Sequence, residues 1–412
     1  MHRVPRGQRD NLAELRELCK TAGYEVVYEV KQVRHPHPKY NIGPGKVEEL
    51  RRAVRKLGIE KVIFENQLKP VQEYNLAKAL KVPIITRTQL ILEIFSMHAN
   101  SVEAKLQIKL AELKYELSRA KEKVRLAKKG EQPGFHGLGA YEADVYYDEI
   151  HRRITSIMKK LESIKKHMDL LRDKRREYGL PIISLAGYTN AGKSTLFNAL
   201  ALEDVEVSEQ LFTTLSPTTR IVRVDGKPIF ISDTVGFIRN LPTLLIEAFY
   251  ATLREIVLSD MILLVADISD PLDELRDKIK TSLEILNSIG AHNVPKILVL
   301  NKLDLISKED ALKKVKGLNL KMPYALISAK CGLGLEDLER KISSMLKGFI
   351  KLKALLPYDG RTMNMLEEIY NRSKVVDVNF DERSIELEVE APIYLAEKLR
   401  RYAIEGGFKI IG

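Results

Sequence analysis

Residues 187–194 read GYTNAGKS, directly after the apolar run IISLAG and directly before the helical stretch STLFNALALE. The outer glycines of a G-x-x-x-x-G-K-S spacing let the chain close a tight loop with its N–H groups turned inward, and a helix starting there adds the positive end of its dipole. Such a loop between a strand and a helix restricts the region to an α/β architecture. Further apolar runs, RIVRVD (220–225), PIFISD (228–233), MILLVAD (261–267), KILVLN (296–301) and YALISA (324–329), alternate with helical segments. Near-continuous apolar strands suit a mostly parallel sheet covered by helices on both faces, so a domain spanning 181–349 is expected.

The loop residues Gly187, Tyr188, Thr189, Asn190, Ala191, Gly192, Lys193, Ser194 and Thr195 form the expected phosphate-binding set, with Lys193 bridging the β and γ oxygens and Ser194 ligating Mg²⁺. Asp233 closes a strand in DTVGF and is placed to reach the Mg²⁺ shell, while the Gly236 N–H is placed to contact a γ-phosphate. In NKLD, Asn301 and Lys302 precede Asp304, whose carboxylate can accept both N1–H and the N2 amino group of guanine. Adenine offers neither donor pattern, so GTP and GDP are the expected ligands. Ser328, Ala329 and Lys330 follow another strand and would present the Ala329 N–H to guanine O6. The threonine-rich segment 208–220 offers Thr214, or alternatively Thr213, as a Mg²⁺ ligand present only with the γ-phosphate. Lys193, Thr214 and Gly236 are therefore the expected catalytic groups. Phe237 then poses a difficulty, because an apolar side chain cannot orient an attacking water.

The rest of the chain reads as three further modules. Residues 1–96 alternate helical patterns (NLAELRELCK, VEELRRAVRKLG) with predicted strands at 24–30 and 61–66, giving a small α/β domain whose loop RHPHPKYNIGPGK runs into a helix. Residues 97–180 carry two apolar ladders, Val102, Leu106, Leu110, Leu113, Leu117, Ala120, Val124, Ala127 and Ile150, Ile154, Ile157, Leu161, Ile164, Met168, Leu171. Their heptad-like spacing predicts a long two-helix hairpin, joined by the glycine-rich stretch 130–144, which should not be helical. A linker at ALLPYDG (354–360) is expected to lead into a small α+β module at 350–412 ending in a short strand.

Charge divides the chain sharply. The net +11 comes from 18 Lys and Arg against 11 Asp and Glu in residues 1–96 and 19 against 13 in residues 97–180, whereas 181–349 and 350–412 are each close to neutral. Basic clusters at Lys121, Lys123, Arg125, Lys128 and Lys129, and at Arg172, Lys174, Arg175 and Arg176, flank the predicted arm. A polyanionic partner is expected for that half, RNA or an anionic membrane surface, and the alternative to an RNA-bound factor is a GTP-timed switch at an anionic membrane or a protein partner. The two cysteines, Cys19 and Cys331, show no metal or C-x-x-C spacing, and no run approaches a membrane span. A cytoplasmic monomer is expected.

The motifs in this order resemble a translation-factor-type P-loop GTPase, and ENQLKPVQEYNL (65–76), TRTQLILEIFSMHANSVEAKLQIKLAELKYEL (86–117), LFTTLSP (211–217) and DTVGFIRNLP (233–242) are similar to the HflX family. The resemblance implies a ribosome-associated GTPase that binds the large subunit and its rRNA. Some bacterial members split ribosomes, but the tip GEQPGFHGLGAYEAD lacks their acidic, GPGETQ-like wording. It also implies a GTPase with a hydrophobic residue at position 237 that draws on a partner, a cation or another side chain, and Asn190 is then a candidate catalytic residue as a K⁺ ligand.

Overall fold

The computed structural model describes residues 1–4, 12–99, 101–128, 140–177, 179–201, 218–234, 236–239 and 250–405. The chain divides into two compact units, the first comprising residues 1–164 and the second, among the described residues, 165–201, 218–239 and 250–405.

In the first unit, β1 (His2–Val4) pairs in parallel with β2 (Lys31–Val33), and β3 (Val62–Phe64) with β4 (Ile84–Thr86). The Met1 amino group donates to the Ile63 carbonyl at 2.8 Å, and Glu65 N–H donates to the Met1 carbonyl at 2.9 Å, so the residue before β1 is tied to β3 and to the residue just after it. Helices α1 (Leu12–Thr21), α2 (Pro44–Leu57), α3 (Pro70–Leu80) and α4 (Arg87–His98) intervene or follow. Helix α2 starts at a proline, whose missing N–H costs nothing in the first turn, and ends on Gly58 at φ 62°. Its Val47, Leu50 and Val54 share one face and enter a core with Ile42, Phe64 and Leu76.

The strand predicted at 24–30 does not form. Pairing requires a neighbour, and β1 offers one only from His2, whose register partner is Lys31. Glu29 is instead tied to Arg16, and Val27 is 51% exposed.

Two long helices, α5 (Val102–Lys128) and α6 (Ala140–Glu177), form the predicted arm. Leu110, Leu113, Leu117 and Ala120 pack against Tyr146, Ile150, Ile154 and Leu161, and the Tyr146 hydroxyl donates to Glu116. Val102, expected to begin the buried ladder, is 71% exposed. The buried residues at that end of α5 are Ala104, Gln107, Ile108 and Ala111, because this part of α5 packs on α3 and α4. Residues 140–144, expected to be loop, already belong to α6. Residues 129–139 and the side chains of the flanking basic clusters lie outside the described residues, as does the short strand expected at the C-terminus.

The second unit is built on a six-stranded sheet of order β10-β9-β8-β5-β7-β6, parallel except for β6 against β7. Its strands are β5 (Ile182–Gly187), β6 (Thr218–Val224), β7 (Lys227–Asp233), β8 (Met261–Asp267), β9 (Lys296–Asn301) and β10 (Tyr324–Leu326). Helices α7 (Lys193–Ala201), α8 (Tyr250–Val257), α9 (Leu272–Ser288), α10 (Lys308–Leu318) and α11 (Leu335–Met345) accompany them. The central strands are buried on both faces, as their near-continuous apolar sequences suggest.

The C-terminal sheet has the antiparallel order β11 (Phe349–Pro357), β13 (Ser384–Pro392), β12 (Lys374–Phe380), with α12 (Gly360–Arg372) and α13 (Ile393–Glu405). The linker expected at 354–360 is largely strand. Leu352, Ala354 and Leu356 alternate into the core while Lys351 and Lys353 pair outward with Glu388 and Glu386, the period of a one-faced strand. The β6–β7 turn, with Asp225 at φ 49° and Gly226 at φ 78°, docks on this module. Asp225 accepts from Lys374 Nζ (3.0 Å) of the module and from Ser343 Oγ of α11 (2.8 Å), Arg223 donates to the Ser373 and Tyr370 carbonyls, and buried Lys227 pairs with Glu390 at 2.9 Å.

Candidate functional site: a phosphate loop and a base-recognition edge

The site lies at the C-terminal ends of β5, β7, β8 and β9, where an open α/β sheet forms its crevice. Gly187 ends β5 at φ 145°, and a Cβ there would stand 2.1 Å from the Val265 carbonyl oxygen, so only glycine fits. Asn190 adopts φ 61° at the exposed apex, and Gly192 at φ 88° lies against the Asn301 side chain. Helix α7 then begins at Lys193, its first N–H groups facing the loop.

Lys193 is 8% exposed and donates to the Tyr188 carbonyl at 3.0 Å. Burial holds its ammonium down to about 8, with the Asp233 carboxylate acting in the opposite direction. Ser194 Oγ donates to Asp233 Oδ2 at 2.7 Å, and Asp233 Oδ1 accepts from Thr234 N–H at 2.9 Å. A hydroxyl and a carboxylate brought together are hard oxygen donors of the kind Mg²⁺ takes. Gly236 crosses directly over the loop, since a Cβ on it would lie 2.7 Å from Thr189 Cγ2 and 2.9 Å from Lys193 Nζ. Thr195 follows on the first turn of α7. Thr213 and Thr214 lie outside the described residues.

Phe237 is 1% exposed. Its N–H donates to the Gly187 carbonyl (2.9 Å) and its carbonyl accepts from Thr189 N–H (2.8 Å), which pairs it with Tyr188 as a parallel bridge. The residue that posed the difficulty is thus a core residue. Replacing Phe237 by Gln is expected to destabilise the protein by about 2–4 kcal/mol, since it removes buried apolar area and strands an amide. Basal turnover should not rise. Chemical denaturation together with single-turnover hydrolysis checks this, and a fast, stable Phe237→Gln protein would contradict it.

At the edge expected to meet the base, Lys302 at φ 66° turns the chain and its Nζ reaches Asp267 Oδ2 at 2.7 Å. Asp304 is exposed and accepts from the buried Ser328 hydroxyl at 2.5 Å, which fixes the direction of its carboxylate. Asn301 is buried and spans two loops: its Nδ2 donates to the Ala191 carbonyl (3.0 Å), and its Oδ1 accepts from Ala329 N–H (2.9 Å). The Ala329 N–H expected to meet guanine O6 is therefore directed at Asn301, and a base would have to share it. Lys330 follows, exposed. Sequence reasoning missed Thr234, whose hydroxyl donates to the Leu185 carbonyl at 2.6 Å from a fully buried position, and missed the use of the Tyr188 side chain. The only local signal for either was a polar group inside an apolar strand end.

Three families match consecutive stretches: GTP-binding GTPase N-terminal over residues 9–96, GTP-binding GTPase Middle Region over 98–175, and 50S ribosome-binding GTPase over 182–302. The GTPase HflX of Thermococcus kodakarensis is 49% identical over 314 residues, which is 76% of this chain and 71% of that protein. The GTPase HflX of Methanocaldococcus jannaschii is 41% identical over 384 residues, covering 92% and 94%. Among solved structures, a GTP-binding protein from Sulfolobus solfataricus in complex with GDP is 31% identical, with 84% of this chain and 97% of that one covered and a TM-score of 0.46.

Proposed function

The chain belongs to the HflX family of GTPases, and we propose on that footing that it hydrolyses GTP as a factor bound to the large ribosomal subunit, gripping rRNA with its basic N-terminal half. The observation that carries the partner is the division of charge. The excess of Lys and Arg lies in residues 1–180, while the region of the nucleotide motifs is near neutral. Exposed Lys31, Lys39, Arg52, Arg55 and Lys56 belong to the N-terminal unit. Among the described residues no helix is long and apolar enough to cross a membrane.

In this reading residues 1–96 and 97–180 serve binding, 181–349 serve hydrolysis, and 350–412 are an accessory module of a cytoplasmic monomer. Lys193, reaching out of its buried stem, neutralises charge between the β- and γ-phosphates, and the Gly236 N–H donates to the γ-phosphate. Ser194, Asp233 and Thr214 would hold Mg²⁺, which supplies further neutralisation of the phosphates. Asp304 reads N1–H and the N2 amino group of the guanine, held in direction by Ser328. Since the buried Phe237 cannot aim water, the missing stabilisation comes from outside the chain: the ribosome, and a K⁺ ion at Asn190.

Binding of the full chain to purified large subunits is expected to weaken by roughly 10²-fold or more between about 50 and 200 mM salt, as release of counterions requires. Co-sedimentation across a salt series measures it, with anionic liposomes as the competing surface. Binding indifferent to salt, or confined to liposomes, would overturn the ribosomal reading. For the cation, wild-type single-turnover hydrolysis should be faster in KCl than in NaCl, and Asn190→Ala should remove that difference with nucleotide affinity nearly intact, because the cation acts on transition-state charge. Equal wild-type rates in the two salts would eliminate K⁺.

A further inference from the structure

The second residue of the loop turns its side chain away from the exposed apex and into the protein. Tyr188 is 6% exposed, its ring carries Lys278 Nζ at 5.5 Å from the centroid, and Lys278 is itself held by Asp270 (2.8 Å) and Glu274 (2.9 Å). The Tyr188 hydroxyl accepts the Arg239 N–H at 2.7 Å, and the Arg239 guanidinium reaches Asp277 at 3.5 Å. Lys278, Glu274 and Asp277 all stand on α9, so that helix supports both the tyrosine and the segment the tyrosine holds.

Three hydrogen bonds therefore clamp residues 237–239 onto the loop: Phe237 N–H to Gly187, Thr189 N–H to Phe237, and Arg239 N–H to the Tyr188 hydroxyl. The first two are main-chain bonds that almost any side chain would permit. The third depends on a hydroxyl at position 188, and a phenylalanine would fill the same space without it. Gly236 sits between this clamp and the anchored Asp233–Thr234 pair, with no room for a side chain beside Thr189 and Lys193.

We infer that Tyr188 is a positioning residue for hydrolysis: its hydroxyl, by holding Arg239, fixes where the Gly236 N–H meets the γ-phosphate. The inference rests on the role given above to Gly236, and it is independent of any ribosomal partner. GDP has no γ-phosphate, so the clamp should matter for GTP turnover and not for GDP affinity. Only interactions strengthened on the way to the transition state alter kcat.

The test is Tyr188→Phe in the full chain, assayed without ribosomes. Loss of one hydrogen bond of this kind is expected to lower kcat roughly three- to tenfold, with KM and GDP affinity within about twofold of wild type and faster hydrogen exchange at the Arg239 amide. Faster exchange with unchanged kcat would show a clamp without a catalytic consequence and overturn the proposal. Unchanged exchange, or equal losses in GDP and GTP affinity, would overturn it as well. If Tyr188→Phe folds poorly, the wild-type protein still decides the matter, because an Arg239 amide that exchanges as fast as an exposed loop amide is not held by the tyrosine.

Discussion

Lys193→Met is expected to lower GTP turnover by about 10²- to 10³-fold while leaving the nucleotide-free protein folded. The loss follows from removing a preorganised cation where negative charge develops, the kind of interaction whose removal costs that much in other enzymes. The fold should survive because methionine fills the buried stem and carries no charge to desolvate. The same burial gives a second readout. Lys193 ionises at about 8 in the folded protein, below the ~10.4 of an unfolded lysine, so between those values the unfolded chain binds more protons than the native one. Stability without nucleotide should accordingly rise with pH across that window, and the rise should be missing from Lys193→Met. Bound GTP supplies the absent negative charge and should flatten the wild-type curve. Thermal melts of both proteins at several pH values, with and without nucleotide, measure this. Identical pH dependence in the two proteins would mean that the lysine is not desolvated.

Asp304→Asn is expected to weaken GTP binding by about 10²- to 10⁴-fold, because two hydrogen bonds to a charged acceptor are lost. An amide at this position donates instead of accepting, so a base with a carbonyl at position 2 becomes its partner, and xanthosine triphosphate should bind in place of GTP. The Ser328 hydroxyl can remain bonded to the carbonyl oxygen of that amide, so the fold of the edge should be kept. Titration of both nucleotides against both proteins reads the exchange of preference directly. Unchanged GTP affinity would remove Asp304 from base recognition.

Much of the architecture was legible because it is local. The loop GYTNAGKS needs glycine at Gly187 for a steric reason internal to two strands, and the near-continuous apolar runs of β5, β7, β8 and β9 announce strands buried on both faces. The paired ladders in α5 and α6 likewise state their own partner. Residues 24–30 have the composition of a strand but no register partner, whereas residues 354–360 looked like a linker because Pro357 and the turn after it drew the reading away from the alternation that carries β11 through to Pro357.

The amino-acid sequence by itself determined which groups stand at the strand ends and in which order, since a loop closing a strand must lie at the edge where the sheet forms its crevice. Tertiary structure alone decided what those groups do to one another. Phe237 is a buried pairing partner of Tyr188, Asn301 is a brace between two loops, and Thr234 anchors the end of β7. The physical reason is that a hydrogen bond or a buried contact belongs to two residues at once. Residues 188 and 239, or 191 and 301, are joined only by the parallel stacking of β5, β7, β8 and β9, and no spacing along the chain encodes that neighbourhood.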